Sequence, residues 1–125
     1  MILDANAVSA LLAGDDALAS VLGGAPRHQL PVIVIGEYRF GLMRSRYRTT
    51  LQPLLATLAS VSEVLHVDAR TASVYAEVRE QLRAAGTPIP ENDVWIAALA
   101  RQHELSIVSR DRHFDRVNGV VRVDW

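Results

Sequence analysis

The sequence contains no cysteine and no lysine, and these two absences exclude several kinds of active site. Without cysteine there is no thiol nucleophile, no disulfide framework and no thiolate-bound zinc. Because lysine is absent, the 13 positively charged residues are all arginine. That excludes a Walker-A phosphate loop, which needs a lysine beside its glycines, and it excludes lysine Schiff-base chemistry.

Long apolar runs are also missing, because none approaches the roughly 20 residues of a membrane span. The N-terminus carries Asp4 early and lacks the basic start of a signal peptide, so we expect a cytoplasmic protein with no membrane contact. Half of the 125 residues are hydrophobic, and the formal net charge is −1. This composition predicts a single domain over residues 1–125 with a core that needs no disulfide.

Short apolar segments alternate with amphipathic ones along the chain. The predicted strands are 1–3, 29–31, 64–67, 105–109 and 120–123. Asn6 is the predicted cap of the first helix, and a second helix is predicted to end at 23–26. Further helices are predicted over 32–44, 49–58 and 92–103. A long helix is predicted to begin after its cap, Asp68, and to end at Gly86. The alternation predicts an α/β sandwich with a mainly parallel central sheet.

Four acids fall where predicted strands end or predicted helices begin. Asp4 and Asp111 each follow a strand, Asp93 opens a helix, and Glu37 lies early in another. In an open parallel sheet, ligands bind beyond the carboxyl ends of the strands, next to helix N-termini. We therefore expect these four carboxylates to converge at one edge of the sheet.

Converging carboxylates repel one another unless a cation lies between them. Mg²⁺ prefers oxygen ligands and commonly acts on phosphates, and Mn²⁺ accepts similar ligands. Such an ion lowers the pKa of a bound water and stabilises the charge on a phosphodiester under attack. The acids therefore predict a magnesium-dependent nuclease, with manganese as an alternative ion.

Each acid also has a structural interpretation. Asp93 and Glu37 can be residues favoured by the helix dipole, and Asp111 can be a turn former. Asp4 is harder to explain this way, since an acid that ends a buried strand needs a partner. The metal hypothesis depends on the combination of the four acids.

Four motifs occur in a fixed order along the chain. They are Asp4-x-Asn6, Gly36-Glu37, Asn92-Asp93-x-Trp95-Ile96-Ala97-Ala98 and Val108-Ser109-x-Asp111-x-x-Phe114. In this order they resemble a PIN-domain ribonuclease, and more closely the VapC toxins of type II toxin–antitoxin (VapBC) systems. The resemblance extends over essentially the whole chain and implies a PIN-like α/β/α sandwich.

The resemblance also implies roles for particular residues. The catalytic acids that hold Mg²⁺ or Mn²⁺ would be Asp4, Glu37, Asp93 and Asp111. Asn6 and Ser109 would be polar helpers that hydrogen-bond the acids or the waters of the metal. Some relatives carry a further acid where this chain has His113, and Asp115 is an offset candidate for that supporting role.

For partners, the resemblance implies an RNA substrate, often tRNA or ribosomal RNA, which is cut by a metal-activated water. It implies a homodimer and a VapB-type antitoxin that inhibits the toxin, in some cases within a larger toxin–antitoxin assembly. The antitoxin of such a pair commonly places an arginine in the acidic pocket.

Two arginine clusters are candidate RNA contacts. Arg44, Arg46 and Arg48 flank Tyr47, while Arg110 and Arg112 border Asp111. Guanidinium groups bind phosphates, and an aromatic ring beside them can stack on a base. The alternative for either cluster is a solvated turn.

The four histidines, His28, His66, His103 and His113, form no ligand-spaced pair. The sequence therefore does not predict a zinc site or a paired-histidine ribonuclease. His113 lies close to Asp111, where it could touch a substrate phosphate, but we interpret it as a solvated turn residue.

Two other functions remain open at this point. The same metal chemistry would serve a DNA nuclease or a phosphoesterase, because it requires no 2′-hydroxyl. A non-catalytic nucleic-acid-binding or protein-binding domain could also keep the fold.

Overall fold

Five short parallel strands form the central sheet of the protein. In the computed structural model, which describes residues 1–24 and 27–125, they are β1 Ile2–Leu3, β2 Gln29–Pro31, β3 Glu63–Leu65, β4 Ile107–Val108 and β5 Arg122–Val123. Their order in the sheet is β3-β2-β1-β4-β5, and every neighbouring pair is parallel. The predicted α/β architecture with a mainly parallel sheet is therefore confirmed.

Helices connect the strands. They are α1 Ala5–Leu12, α2 Asp16–Leu22, α3 Val32–Leu42, α4 Arg48–Val61, α5 Ala69–Ala84, α6 Glu91–His103 and the short 3₁₀ helix Arg112–Arg116. As predicted, Asp68 caps α5: its carboxylate accepts from the Thr71 amide, and the Thr71 hydroxyl in turn accepts from the Asp68 amide.

The start of α1 differs from the prediction. The helix begins at Ala5, directly after the extended residue Asp4, so Asn6 lies inside the helix and the prediction that it caps the helix is wrong. The physical reason is that the Asn6 side chain bonds to side chains beyond the strand ends instead of to its own backbone. The predicted end of α2 includes Gly23, its C-cap; Ala25 and Pro26 lie outside the described residues.

Several other boundaries shift by a few residues. Helix α4 continues to Val61, beyond its predicted end. Strand β3 begins at Glu63, one residue before its predicted start, and ends at Leu65, two residues earlier than predicted. Strands β4 and β5 are shorter than their apolar segments, because they pair over only two residues each. Strand boundaries depend on which residues pair in the sheet, and a hydrophobic pattern does not specify that pairing.

The core lies on both faces of the sheet. Ile2 and Leu3 of β1, and Ile107 and Val108 of β4, are fully buried, as expected for parallel strands covered by helices on both sides. Helix α6 contributes an unbroken buried run from 96 to 100.

Across the described part of the chain, no single helix has the length and apolarity to cross a membrane. Only α1 and α2 taken together pass such a test, and they are bent by 115° relative to each other.

Candidate metal centre

The central feature of the site is a network of side chains around Asp4. Asp4 follows β1 and Ser109 follows the neighbouring strand β4, so both lie at the same edge of the sheet. The Ser109 hydroxyl donates a 2.7 Å hydrogen bond to Asp4 Oδ2, and Asn6 Nδ2 donates a 3.0 Å bond to the same oxygen. The Ser109 Oγ also accepts from Asn6 Nδ2 at 3.0 Å and from the Asp111 amide at 2.9 Å. The network therefore fixes the orientation of the Asp4 carboxylate.

Asp4 is strongly shielded from water. Its exposed fraction is only 5%, and Ser109 is fully buried. Burial raises the pKa of Asp4, and the nearby Asp111 carboxylate raises it further. Hydrogen bonds from Ser109, the Ala5 amide and Asn6 oppose this shift by stabilising the charged form. The prediction that this buried acid has polar partners is confirmed.

Asp93, Asp111 and His113 form the second part of the site. Asp93 lies in the first turn of α6, and Asp111 caps the 3₁₀ helix by accepting a 2.9 Å bond from the His113 amide. The His113 Nδ1 atom lies 3.2 Å from Asp93 Oδ2 and 2.9 Å from Asp111 Oδ1. One candidate ligand atom from each of the three residues lies within 4.8 Å of the others.

The pKa of Asp93 shows that this arrangement disfavours its charged form. Burial raises its pKa to about 6, and repulsion from Asp4 and Asp111 acts in the same direction. The hydrogen bond from His113 opposes the shift. Three carboxylates thus lie close enough to disfavour one another's ionisation, which is the situation that a cation relieves.

The interpretation of His113 as a solvated turn residue is wrong. Its ring is half-buried, and its Nδ1 lies between two carboxylates. Sequence reasoning missed this because the 3₁₀ helix that brings the side chain back over Asp111 has no strong sequence pattern. The Asp-x-His spacing after a buried strand was the available signal.

Glu37 approaches the site through a neighbour of Asp93. It lies in the second turn of α3, early in the helix as predicted, and its Oε1 accepts a 2.7 Å hydrogen bond from Asn92 Nδ2. Asn92 directly precedes Asp93, so this bond joins α3 to the first turn of α6, which carries Asp93. Glu37 does not belong to the tight group of Asp93, Asp111 and His113. The role of Asn92 in holding Glu37 was not predicted.

Asp115, the candidate supporting acid, is engaged elsewhere. Arg122 donates two hydrogen bonds to its carboxylate, at 2.8 and 3.1 Å. These bonds hold the pKa of Asp115 below its ordinary value. The structure therefore places Asp115 in an ion pair between the 3₁₀ helix and β5, and does not bring it to the other acids.

The candidate RNA-binding arginines have different surroundings. Arg112 and the cluster of Arg44, Arg46 and Arg48 are exposed. The Arg46 guanidinium carbon lies 4.9 Å from the centre of the Tyr47 ring. Arg110 instead lies over the Trp125 ring at 4.3 Å and near Asp15, so much of its side chain already has partners within the protein.

A groove lies beside Asn6 and Glu37. It has a volume of about 360 Å³ and runs between α1 and α3. Its lining includes Asn6, Glu37 and Ser45, and Ser45 lies between Arg44 and Arg46 in the sequence.

The donor set fits a hard divalent cation. The converging atoms are mainly carboxylate oxygens, which are the ligands that Mg²⁺ and Mn²⁺ accept in proteins. The raised pKa values of Asp4 and Asp93 indicate that the negative charge of the site is poorly compensated by the protein alone. The fold and the site together define an α/β protein with an acidic cluster, suited to a divalent metal ion, at the carboxyl edge of a parallel sheet.

Comparison with known proteins agrees with this class. The PIN domain family model matches residues 1–120, and the chain belongs to the PIN-domain family. Ribonuclease VapC5 of Mycobacterium tuberculosis is 33% identical over 95 residues, which cover 74% of this chain and 70% of that protein. The resemblance to VapC-type PIN domains drawn from the motifs is thereby confirmed.

Two solved structures extend the comparison. The crystal structure of VapBC-5 from M. tuberculosis, a member of the VapBC family of toxin–antitoxin systems, matches with a TM-score of 0.76 and 28% identity, over 98% of this chain and 94% of that chain. VapBC2 from Rickettsia felis, bound to a promoter DNA fragment, matches with a TM-score of 0.88 at 22% identity, over 99% of this chain and 97% of that chain. The second match supports the fold alone.

Proposed function

We propose that this protein is a Mg²⁺-dependent endoribonuclease and the toxin of a VapBC-type toxin–antitoxin pair, acting in the cytoplasm as a single domain over residues 1–125. The observation that carries the proposal is the close grouping of Asp93 and Asp111 in a PIN-domain protein, with Asp4 linked to Asp111 through hydrogen bonds to Ser109. Carboxylates this close together can bind a divalent ion, and such an ion can activate a water for attack on a phosphodiester.

Each side chain has a defined task in this mechanism. Asp93 and Asp111 would hold the ion, together with Asp4, whose orientation is fixed by Ser109 and Asn6. Glu37, positioned by Asn92, would orient the attacking water at the start of the groove. The bound ion supplies Lewis acidity, which lowers the pKa of that water and stabilises the phosphodiester as it is attacked.

We propose that the RNA follows the groove toward Arg44, Arg46 and Arg48. The guanidinium groups would bind backbone phosphates, and Tyr47 would stack on a base. Arg112 is a further candidate contact beside Asp111, and Arg110 contributes mainly through its exposed part. Because contacts of this kind favour exposed nucleotides, we propose tRNA or ribosomal RNA loops as the targets.

The protein partner would be a VapB-type antitoxin. Phe40 and Met43, near the end of α3, are 72% and 62% exposed, and Tyr47 follows them in the turn. Exposed apolar side chains of this size commonly mark protein contacts. We propose that the antitoxin covers this surface and places an arginine among the acids, and that the toxin is a homodimer, alone or within a larger toxin–antitoxin assembly.

The central test is cleavage of matched RNA and DNA oligonucleotides with Mg²⁺ and with EDTA. We expect RNA cleavage that EDTA abolishes, and loss of at least about a hundredfold in rate for Asp4→Asn. Asp16→Asn, an exposed acid at the start of α2, is the matched control and should cleave normally. EDTA-resistant cleavage would refute the metal mechanism, and preferential DNA cleavage would favour the alternative substrate.

The partner proposals need a separate measurement. Light scattering after size-exclusion chromatography should give twice the chain mass for the purified protein. Co-expression with the protein encoded by an adjacent small gene should yield a stable complex in which RNA cleavage is suppressed. A monomeric mass would contradict the homodimer, and a complex that remains fully active would contradict inhibition by the antitoxin.

A further inference from the structure

We infer that His113 is a nitrogen ligand of the divalent ion, so that this centre binds transition-metal ions such as Mn²⁺ and Co²⁺ more tightly than Mg²⁺. The inference rests on the proposed metal-dependent function and specifies the ion that the site prefers. Mg²⁺ would still support activity, but at a higher concentration.

The position of the imidazole carries the inference. Two ligands about 2.1 Å from one ion lie at most about 4.2 Å apart. The His113 Nδ1 atom is 2.9 Å from Asp111 Oδ1 and 3.2 Å from Asp93 Oδ2, which is within this limit for both neighbours. Among the residues that the structure describes, these three side chains are the group suited to hold a metal, and the histidine is one of the three.

The backbone keeps the ring in this place. The amide of His113 donates to Asp111 Oδ1, which closes the first turn of the 3₁₀ helix. The next residue, Phe114, is fully buried and anchors that helix to the core. The His113 side chain is 37% exposed, so one side of the ring reaches water while Nδ1 faces the acids. A ring held in this way loses little freedom when it binds an ion.

The tautomer of His113 decides whether Nδ1 can bind an ion. Both neighbours of Nδ1 are carboxylate oxygens, and a neutral imidazole carries its one proton on either ring nitrogen. With an ion bound, the neutral ring would carry its single proton on Nε2, so that the Nδ1 lone pair could bind the ion. An Mg²⁺ site normally consists of oxygen ligands, whereas imidazole suits first-row transition metals. A nitrogen ligand therefore shifts the preference of the centre toward those metals.

The first experiment compares ion affinities by calorimetric titration of the EDTA-treated, dialysed full chain with Mg²⁺, Mn²⁺ and Co²⁺. We expect His113→Ala to weaken Mn²⁺ and Co²⁺ binding by about tenfold or more, and Mg²⁺ binding by less than about threefold. His103→Ala is the matched control, because His103 is exposed at the far end of α6 from Asp93. His113→Asp should reverse the preference toward Mg²⁺.

The second experiment gives a decisive result with the wild-type protein alone and uses the same two variants for comparison. Pulsed electron paramagnetic resonance of the Mn²⁺-loaded protein should detect coupling to an imidazole ¹⁴N nucleus. The coupling should be absent in His113→Ala and retained in His103→Ala. Mn²⁺ that binds the wild-type protein without nitrogen coupling would overturn the inference, even if the variants fail to fold.

The outcomes separate this inference from the proposed function. If the wild-type protein binds no divalent ion and cleaves no RNA, the proposed function fails and His113 has no ion to select. If the protein binds ions and cleaves RNA, but His113→Ala leaves the ratio of Mn²⁺ to Mg²⁺ affinity unchanged, only the role of His113 is refuted.

Discussion

Ser109 Oγ lies 2.7 Å from Asp4 Oδ2, although 105 residues separate the two in the sequence. This contact joins the ends of β1 and β4, and Ser109 also accepts a hydrogen bond from the Asp111 amide. One buried hydroxyl therefore supports two of the acids at the metal centre.

Replacing Ser109 by alanine should destabilise the protein. The Asp4 carboxylate loses its shortest donor, and the Asp111 amide loses its acceptor, inside a fully buried position. Leaving buried polar groups without partners costs about 1–3 kcal/mol, which should appear in urea unfolding of the metal-free protein. Ser73→Ala, at an exposed position of α5, is the control and should change the unfolding free energy by less than about 0.5 kcal/mol. Equal values for the two variants would contradict the structural role of Ser109.

The stability of the metal-free protein should depend on pH through Asp93. Its pKa is raised from the ordinary 3.8 to about 6, so the folded state binds more protons than the unfolded state between these values. The free energy of unfolding should therefore fall as the pH rises from about 4 through 6, and Asp4, whose pKa is also raised, adds in the same direction.

The variant Asp93→Asn tests this linkage. At pH 7.5 without metal it should be more stable than the wild-type protein by about 1–2 kcal/mol, because it removes a poorly compensated charge. Near pH 4 the difference should largely disappear. Mg²⁺ should raise the melting temperature of the wild-type protein and leave that of the variant nearly unchanged. A variant that is less stable than the wild-type protein at pH 7.5 in EDTA would argue against charge repulsion at this site.

Asn92 and Glu37 should act as a unit in catalysis. Asn92→Ala removes the hydrogen bond that positions Glu37, and we expect cleavage to slow by about tenfold, with the fall mainly in kcat. If Asn92 acts only through Glu37, the double variant Asn92→Ala/Glu37→Gln should be no slower than Glu37→Gln alone. Multiplicative losses would show that Asn92 has an independent role.

The three arginines after α3 should govern RNA affinity and its salt dependence. In an inactive Asp4→Asn background, the combined change of Arg44, Arg46 and Arg48 to glutamine should weaken the binding of single-stranded RNA. The slope of log affinity against log salt should fall by up to about 2, since each lost phosphate contact contributes about 0.7.

Fluorescence anisotropy at several salt concentrations measures both quantities. A variant with Arg27→Gln and Arg70→Gln, which are exposed elsewhere on the surface, is the control. A slope that changes equally in both variants would indicate general electrostatic attraction and no defined RNA path.

Much of the fold could be read from local patterns. The buried strand before Asp4, the capped helix α5 and the helix that begins near Asp93 each follow from apolar periodicity and capping residues, which act over a few positions. Their alternation was enough to predict a parallel α/β sheet. The boundaries of β3, β4 and β5 were less accurate, because strand length depends on pairing between distant segments.

The sequence by itself determined the chemistry that is available: several acids at strand ends and helix starts, arginine as the sole basic side chain besides histidine, and no thiol. Tertiary structure decided which of these groups meet. It placed His113 between Asp93 and Asp111, held Glu37 through Asn92, and paired Asp115 with Arg122 away from the site. These outcomes depend on where side chains from distant parts of the sequence point. A shift of a few ångströms decides whether a carboxylate can bind the ion or pairs with an arginine instead.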